Sequence, residues 1–255
     1  MTLVESAAPP PPSALPLSPL VRAARMFTSP ATAWAGLEAG GRWRGWGFPL
    51  TVTLLLEVAL SWATYHRALL PDMFQRWDQA VANGQMPPEQ LQNMTKFFTE
   101  NWVAVATTLG SIVIVVPVVI LLQALMVWFG AGFVLGARFK FSQGFGVVAW
   151  AGLVHLPASL VRYGYGWVQQ SFEGLHLGLG VLLPDQDPPT KLHAGLTVFL
   201  DAISPFTAWY LAVVVVGTAV LSGAPRRNVA WVLVTLYLAF VAFSAAVAAL
   251  FSPGT

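Results

Sequence analysis

Two ionisable side chains fall where a membrane-like sequence tolerates them poorly. Glu57 interrupts the otherwise uncharged stretch from Phe48 to Tyr65, and His155 lies in GLVHLPASLVRYG, just ahead of Pro157 and Arg162. An acid near the middle of an apolar span costs on the order of 3 kcal/mol on insertion scales, so it turns toward the bundle interior or toward water. Glu57 is therefore either a proton or cation site or a hydrogen-bonded packing residue, and the packing role is the simpler of the two. His155 poses the same choice between a proton relay and a buried hydrogen-bonding group. The Pro157 ring frees the carbonyl four residues earlier and bends its helix, while Arg162, at the end of that span, is placed to snorkel outward. Glu57, His155 and Arg162 form the candidate intramembrane polar site.

Other reactive constellations are missing. His66, His155, His176 and His193 are scattered, with no HExxH and no pair at helical ligand spacing, so no metal site is expected. The chain has no Cys, which removes disulfides, thiolate ligands and a cysteine nucleophile. Neither GxSxG nor SxxK occurs, and no Walker loop is present. The glycines of HLGLG, at 176–180, lack a preceding strand and a following Lys-Ser/Thr, so they read as a re-entrant or surface segment rather than a phosphate cradle. No catalytic residue and no cofactor is expected, and the protein reads as a non-enzyme.

The elements that hold these residues follow from composition. Hydrophobic residues make up 56% of the 255 and charged residues only 9%, against about 25% charged in a typical soluble domain. Runs without Asp, Glu, Lys or Arg extend from Asn101 to Ala137, Phe141 to Val161, Ala202 to Pro225 and Asn228 to Thr255. Each is at least about the 20 residues that cross a bilayer. With the stretch around Glu57 they predict an all-α integral membrane protein, a five-transmembrane-helix bundle with spans at about 48–66, 103–134, 145–161, 204–222 and 229–251. Strand-like alternation, the mark of a barrel, is missing. Residues 1–19 read as a disordered Pro-rich cytoplasmic tail, and residues 20–255 as the membrane domain.

Nearly the same hexamer occurs twice, SPATAW from Ser29 to Trp34 and SPFTAW from Ser204 to Trp209. Ser29 and Ser204 supply N-cap acceptors, Pro30 and Pro205 suit the first helical turn, and Trp34 and Trp209 follow about one turn further on. Both copies are expected to start helices near the membrane interface. LVRAARMFTSPATAWAGLEAG reads as an amphipathic element on the membrane surface, and LTVFLDAI as a surface helix that turns into the fourth span at Ser204-Pro205. Between the first two spans, PDMFQRWDQAVANGQ and MPPEQLQNMTKFFTEN predict two short helices. Arg22, Arg25, Arg42 and Arg44 precede the first span, Arg138 and Lys140 lie between the second and third, and Arg226 and Arg227 between the fourth and fifth. By the positive-inside bias these segments, and the N-terminus, are cytoplasmic and the C-terminus is outside. Arginines beside a span are headgroup contacts rather than a nucleic-acid footprint, so no nucleic-acid partner is expected.

The order of these elements resembles the Yip family, small polytopic proteins named for interaction with Ypt/Rab GTPases, and especially its bacterial members. The resemblance covers about Val21 to Leu250 and rests on MFTSPATAWAGL, MPPEQLQNMTKFF, GARFKFSQGFGVVAWAGLVHLPASL and FLDAISPFTAWYLAVVVVGTAVLSGAPRRNVAW. It implies a five-span domain with a cytoplasmic N-terminus in a bacterial inner membrane, and it implies no catalytic residues. The short Pro-rich tail departs from the longer cytoplasmic region of the eukaryotic relatives, so the GTPase partner is not carried over. Two functions compete. One is interaction with the lipid bilayer, with other membrane proteins or with itself, in membrane organisation or a trafficking-like role. The other is a small transporter or ion-conducting bundle that uses Glu57 and His155.

Overall fold

A computed structural model describes residues 17–37, 41–184, 186 and 190–252. Most of the expected tail, and Glu38, Asp185 and Asp187, lie outside the described residues. Among the described residues there is no strand, and five helices are long and apolar enough to cross a membrane: Trp43–Ala82, Trp102–Val134, Phe141–Gln169, Pro205–Ser222 and Arg226–Phe251. The protein is the all-α, five-span bundle that composition demands.

Prolines shape these helices in a repeated way. α1 (Pro19–Thr28) and the single turn α2 (Pro30–Ala33) come before the first crossing, which starts with a wide, π-helical turn at Trp43–Gly47 and continues as α3 (Phe48–Thr64). A second wide turn, Tyr65–Leu69, leads straight into α4 (Leu70–Ala82). Each wide turn ends just before a proline, Pro49 or Pro71. The last N–H ahead of the ring reaches back five residues, Phe48 to Trp43 and Leu70 to Tyr65, which lets the helix pass a residue that has no donor and clashes with an ordinary fourth-residue carbonyl. The first helix therefore does not stop near 66, as polarity suggested, but runs on to Ala82.

Beyond the membrane, α5 (Pro88–Glu100) folds back on α4, with Trp77 against Phe98 at 5.3 Å. These are the two short helices expected from the sequence. α6 (Trp102–Trp128) begins where the Asn101 side chain accepts from the Val103 N–H, and it continues through Pro117 to a wide turn at Phe129–Val134. The third crossing is divided by Pro157. α7 (Phe141–Gly152) gives way to a tight 3-10 turn at Leu153–His155, and α8 (Leu156–Gln169) follows. The Leu153 carbonyl, denied a donor at Pro157, takes the Leu156 N–H instead.

The fourth crossing is preceded by a shorter helix that leads into it. α9 (Lys191–Asp201) and α10 (Pro205–Ser222) are separated by Ala202–Ser204, and both pack on α11 (Arg226–Phe251). Gly195 of α9 lies against Ala245 and Ala249, whereas the Tyr237 hydroxyl donates to the Ala202 carbonyl at 3.0 Å. α9 thus runs antiparallel to the second half of α11, and the break is level with a point well inside that helix. LTVFLDAI supplies the end of a separate helix that turns into the fourth span at Ser204-Pro205, as expected. Gly195, just before it in α9, lets that helix dock lengthwise on the Ala-rich end of α11.

Candidate functional site

Polar chemistry gathers at three places, each assembled from distant parts of the chain. At the end that holds Arg42, Arg138 and Arg226, Arg22 of α1 is fully buried. Its Nε donates to the Ala33 carbonyl at 3.0 Å, Nη2 to Ala35 at 2.9 Å and Nη1 to Arg44 at 3.0 Å. Local structure makes these acceptors available. Ala33 ends the one-turn helix α2, so its carbonyl has no helical partner. In the wide turn the fifth residue after Arg44 is Pro49, which has no N–H to give. The Arg44 carbonyl also accepts from Trp150 Nε1 at 3.1 Å, and the guanidinium lies 5.3 Å from the Trp150 ring centre. Burial, and then the neighbouring Arg44, lower the Arg22 pKa from its ordinary value; arginine nonetheless stays charged in proteins.

This node changes the expected reading of the N-terminal segment. Met26, Ala33, Trp34 and Leu37 are buried in the core with Trp150, Val147 and Val213, while Leu20, Val21 and Phe27 stay exposed. The segment is stapled onto the bundle and keeps only one apolar face free. Trp34 is 1% exposed, packed inside the protein. Its indole occupies the space where a Cβ on Gly217 would project, so the glycine in α10 makes room for it. Ser29 does not act as a side-chain cap, because it already closes α1 through its N–H to the Arg25 carbonyl. Ser204 does cap α10, its Oγ accepting from the Thr207 N–H at 3.1 Å, with Pro205 in the first turn and Trp209 40% exposed.

The second place is the α3–α8 contact. Ser159 Oγ donates to Glu57 at 2.5 Å, and one turn along each helix Ser61 and Tyr163 share a hydrogen bond at 2.8 Å. The two rungs form because Glu57/Ser61 and Ser159/Tyr163 are both spaced i, i+4 and so share a face. Arg162 is exposed and rests its guanidinium 5.4 Å from the Phe172 ring centre. His155 faces another helix, its ring 4.7 Å from that of Tyr210, whose hydroxyl donates to Gln123 at 2.9 Å. Glu57 and His155 therefore have partners on different helices.

The third place is a cleft at the opposite end, of about 580 Å³, lined by Tyr165, Gln169, Glu173, His176, His193 and Thr197 among others. His176 Nδ1 lies 3.0 and 2.9 Å from the two Asp201 oxygens, so the imidazole donates through Nδ1–H to the last residue of α9. The Leu179 N–H reaches the Ile203 carbonyl at 3.0 Å, in the link between α9 and α10. A Cβ at Gly178 or Gly180 would collide with Asp201. The glycines of HLGLG are thus steric necessities that let the loop wrap the end of α9. Gln75 donates to Glu173 at 2.7 Å and Ser171 Oγ donates to Asp72 at 3.3 Å, tying α4 to the rim.

Among the described residues no group of three or more His, Asp or Glu is placed to hold a metal ion. Sequence reasoning missed Arg22, His176, Asp201 and Ser159. The i, i+4 pairs of polar residues in α3 and α8 were a readable signal for Ser159; nothing local marks the pairing of His176 with Asp201. No protein-family model, curated protein or solved structure matches this chain.

Proposed function

We propose that the protein is a non-enzymatic membrane protein of the Yip type, acting through contacts with lipids and with other membrane proteins, its own copies included. In this reading its N-terminus and basic end face the cytoplasm of a bacterium and its C-terminus faces outward across the inner membrane. One observation carries it: the segregation of charge along the bundle. Arg22, Arg25, Arg42, Arg44, Arg138, Lys140, Arg226 and Arg227 share one end by the parity of five crossings, and no described carboxylate accompanies them. The other end mixes Arg67, Arg76, Lys96, Arg162 and Lys191 with Asp72, Asp78, Glu89, Glu100, Glu173 and Asp201. That asymmetry suits a cytoplasmic face held against anionic lipid. Crosslinking in intact membranes should recover the protein itself or discrete partners; capture of neighbours only in proportion to their abundance would defeat the proposal. A cysteine at Ser142 should resist a membrane-impermeant thiol reagent in intact cells, and one at Gln85 should react.

A second reading, a solute-binding or transporting bundle, draws on the break between α9 and the fourth span. Discontinuous helices and non-helical backbone at membrane depth are typical of solute sites in transporters, and here the break adjoins the His176–Asp201 pair and the cleft. Solute flux in reconstituted vesicles that is lost in Asp201→Asn would favour this reading over the first. Flux lost in Glu57→Gln but kept in Asp201→Asn would return the role to the α3–α8 contact.

A further inference from the structure

A recess of about 290 Å³ lies at the basic end, between the start of the first crossing and the start of the third. Arg42 and Lys140 line it from two segments far apart in sequence, together with Leu37, Gly45, Trp46 and Ser142. Its floor forms because two glycines meet there: a Cβ on Gly146 would stand 3.1 Å from the Gly45 carbonyl oxygen and 3.4 Å from Leu37. Trp46 is held edge-on against Phe145, with ring centres 5.4 Å apart, and makes an aromatic wall. Arg42, Lys140 and Ser142 are exposed at the mouth. Among the described residues neither cation is paired with a carboxylate.

We infer that this recess binds the phosphate ester of an anionic phospholipid headgroup. Arg42 offers the planar fork that recognises phosphate oxygens in pairs, and Lys140 adds a point charge on the far side. Ser142 supplies a hydroxyl donor. The apolar lining of Leu37 and Trp46 favours a headgroup that continues into glycerol and acyl chain over a free anion, since Trp prefers the interfacial layer. Basic pockets between transmembrane helices on the cytoplasmic side are suited to such headgroups. The inference rests on the cytoplasmic placement of the basic end in the proposed function.

The purified full chain in neutral detergent, titrated with phosphatidylglycerol or phosphatidylcholine and read by native mass spectrometry, tests it. Wild type should retain phosphatidylglycerol selectively. Arg42→Gln with Lys140→Gln should weaken that retention about thirtyfold, from about 1 kcal/mol per basic residue. Arg226→Gln with Arg227→Gln, which removes the same charge elsewhere on that end, should leave it within about twofold of wild type. Circular dichroism and a monodisperse elution profile establish that each variant is folded, and Arg42→Lys with Lys140→Arg should restore binding in part. Equal loss in both double variants would overturn the site in favour of diffuse attraction. Inorganic phosphate displacing the lipid at comparable concentration would overturn the lipid assignment. A large gain of retention in Glu38→Gln would overturn it as well, since that acid would then hold the two cations. Partner or self crosslinking that persists in Arg42→Gln with Lys140→Gln separates failure of this site from failure of the proposed function.

Discussion

The two near-identical hexamers meet opposite fates. SPFTAW opens an 18-residue helix, with Ser204 in extended geometry and its hydroxyl on the Thr207 N–H. SPATAW yields a helix of 4 residues that makes no side-chain cap. The difference lies in what flanks them. Ser29 is bound on its N-terminal side, since its N–H completes α1, and the chain turns away again at Trp34 to Leu37. Ser204 follows a break and is followed by an unbroken apolar run. The tryptophans diverge with the helices: Trp34 is buried against Gly217 of α10, the helix that the other copy begins, and Trp209 is 40% exposed. A shared local signal specifies a helix start; it does not specify the helix's length or the surroundings of its Trp.

Substitutions at matched positions can break that contrast. Trp34→Ala should have the largest effect, about 3–5 kcal/mol for emptying a buried Trp site, read as a lower detergent-denaturation midpoint, whereas Trp209→Ala should cost no more than a third of that. Equal losses would mean that the two sites are packed alike. Arg22→Met should follow at about 3 kcal/mol or more, because three carbonyls lose their donor, and Arg22→Lys should not restore stability, since one ammonium cannot reproduce the fork.

Gly217→Val sharpens the comparison from the other side. Overpacking against Trp34 should cost about 1–3 kcal/mol, and much of that loss should vanish in a Trp34→Ala background. A fully additive double mutant would place the clash elsewhere. Ser204→Ala should then cost about 1 kcal/mol for its lost cap, while Ser29→Ala, with no cap to lose, should stay within about 0.5 kcal/mol. A similarly small effect is expected between α3 and α8, where Ser159→Ala should lose only about 0.6 kcal/mol, the average for an interhelical hydrogen bond in a membrane. A far larger loss there would give Glu57 a more than structural role.

Much of the architecture was legible before any coordinates. Four uncharged stretches and a fifth broken only by Glu57, the helical hairpin between the first two spans and the break at Pro157 were all readable, because bilayer crossing and proline chemistry depend on residues close together in the chain. The candidate sites were less so. Arg22 looked like one more interfacial cation, since nothing nearby reveals that Pro49 leaves the Arg44 carbonyl without a donor and that Trp150 closes over it. Glu57 was recognised as anomalous, yet its partner comes from a helix about a hundred residues on.

By itself the sequence determined that the chain is helical, crosses a membrane and concentrates basic residues in the short segments flanking its spans on one side, since hydropathy and charge act on each segment through the solvent around it. Only the tertiary structure decided that Trp34 is core, that α9 lies along the end of α11, that His176 meets Asp201, and that Arg42 and Lys140 share one recess. These depend on which helices pack side by side, and that is set by steric fit between faces such as Gly217 with Trp34 and Gly195 with Ala245, a property of pairs of segments that neither segment holds alone.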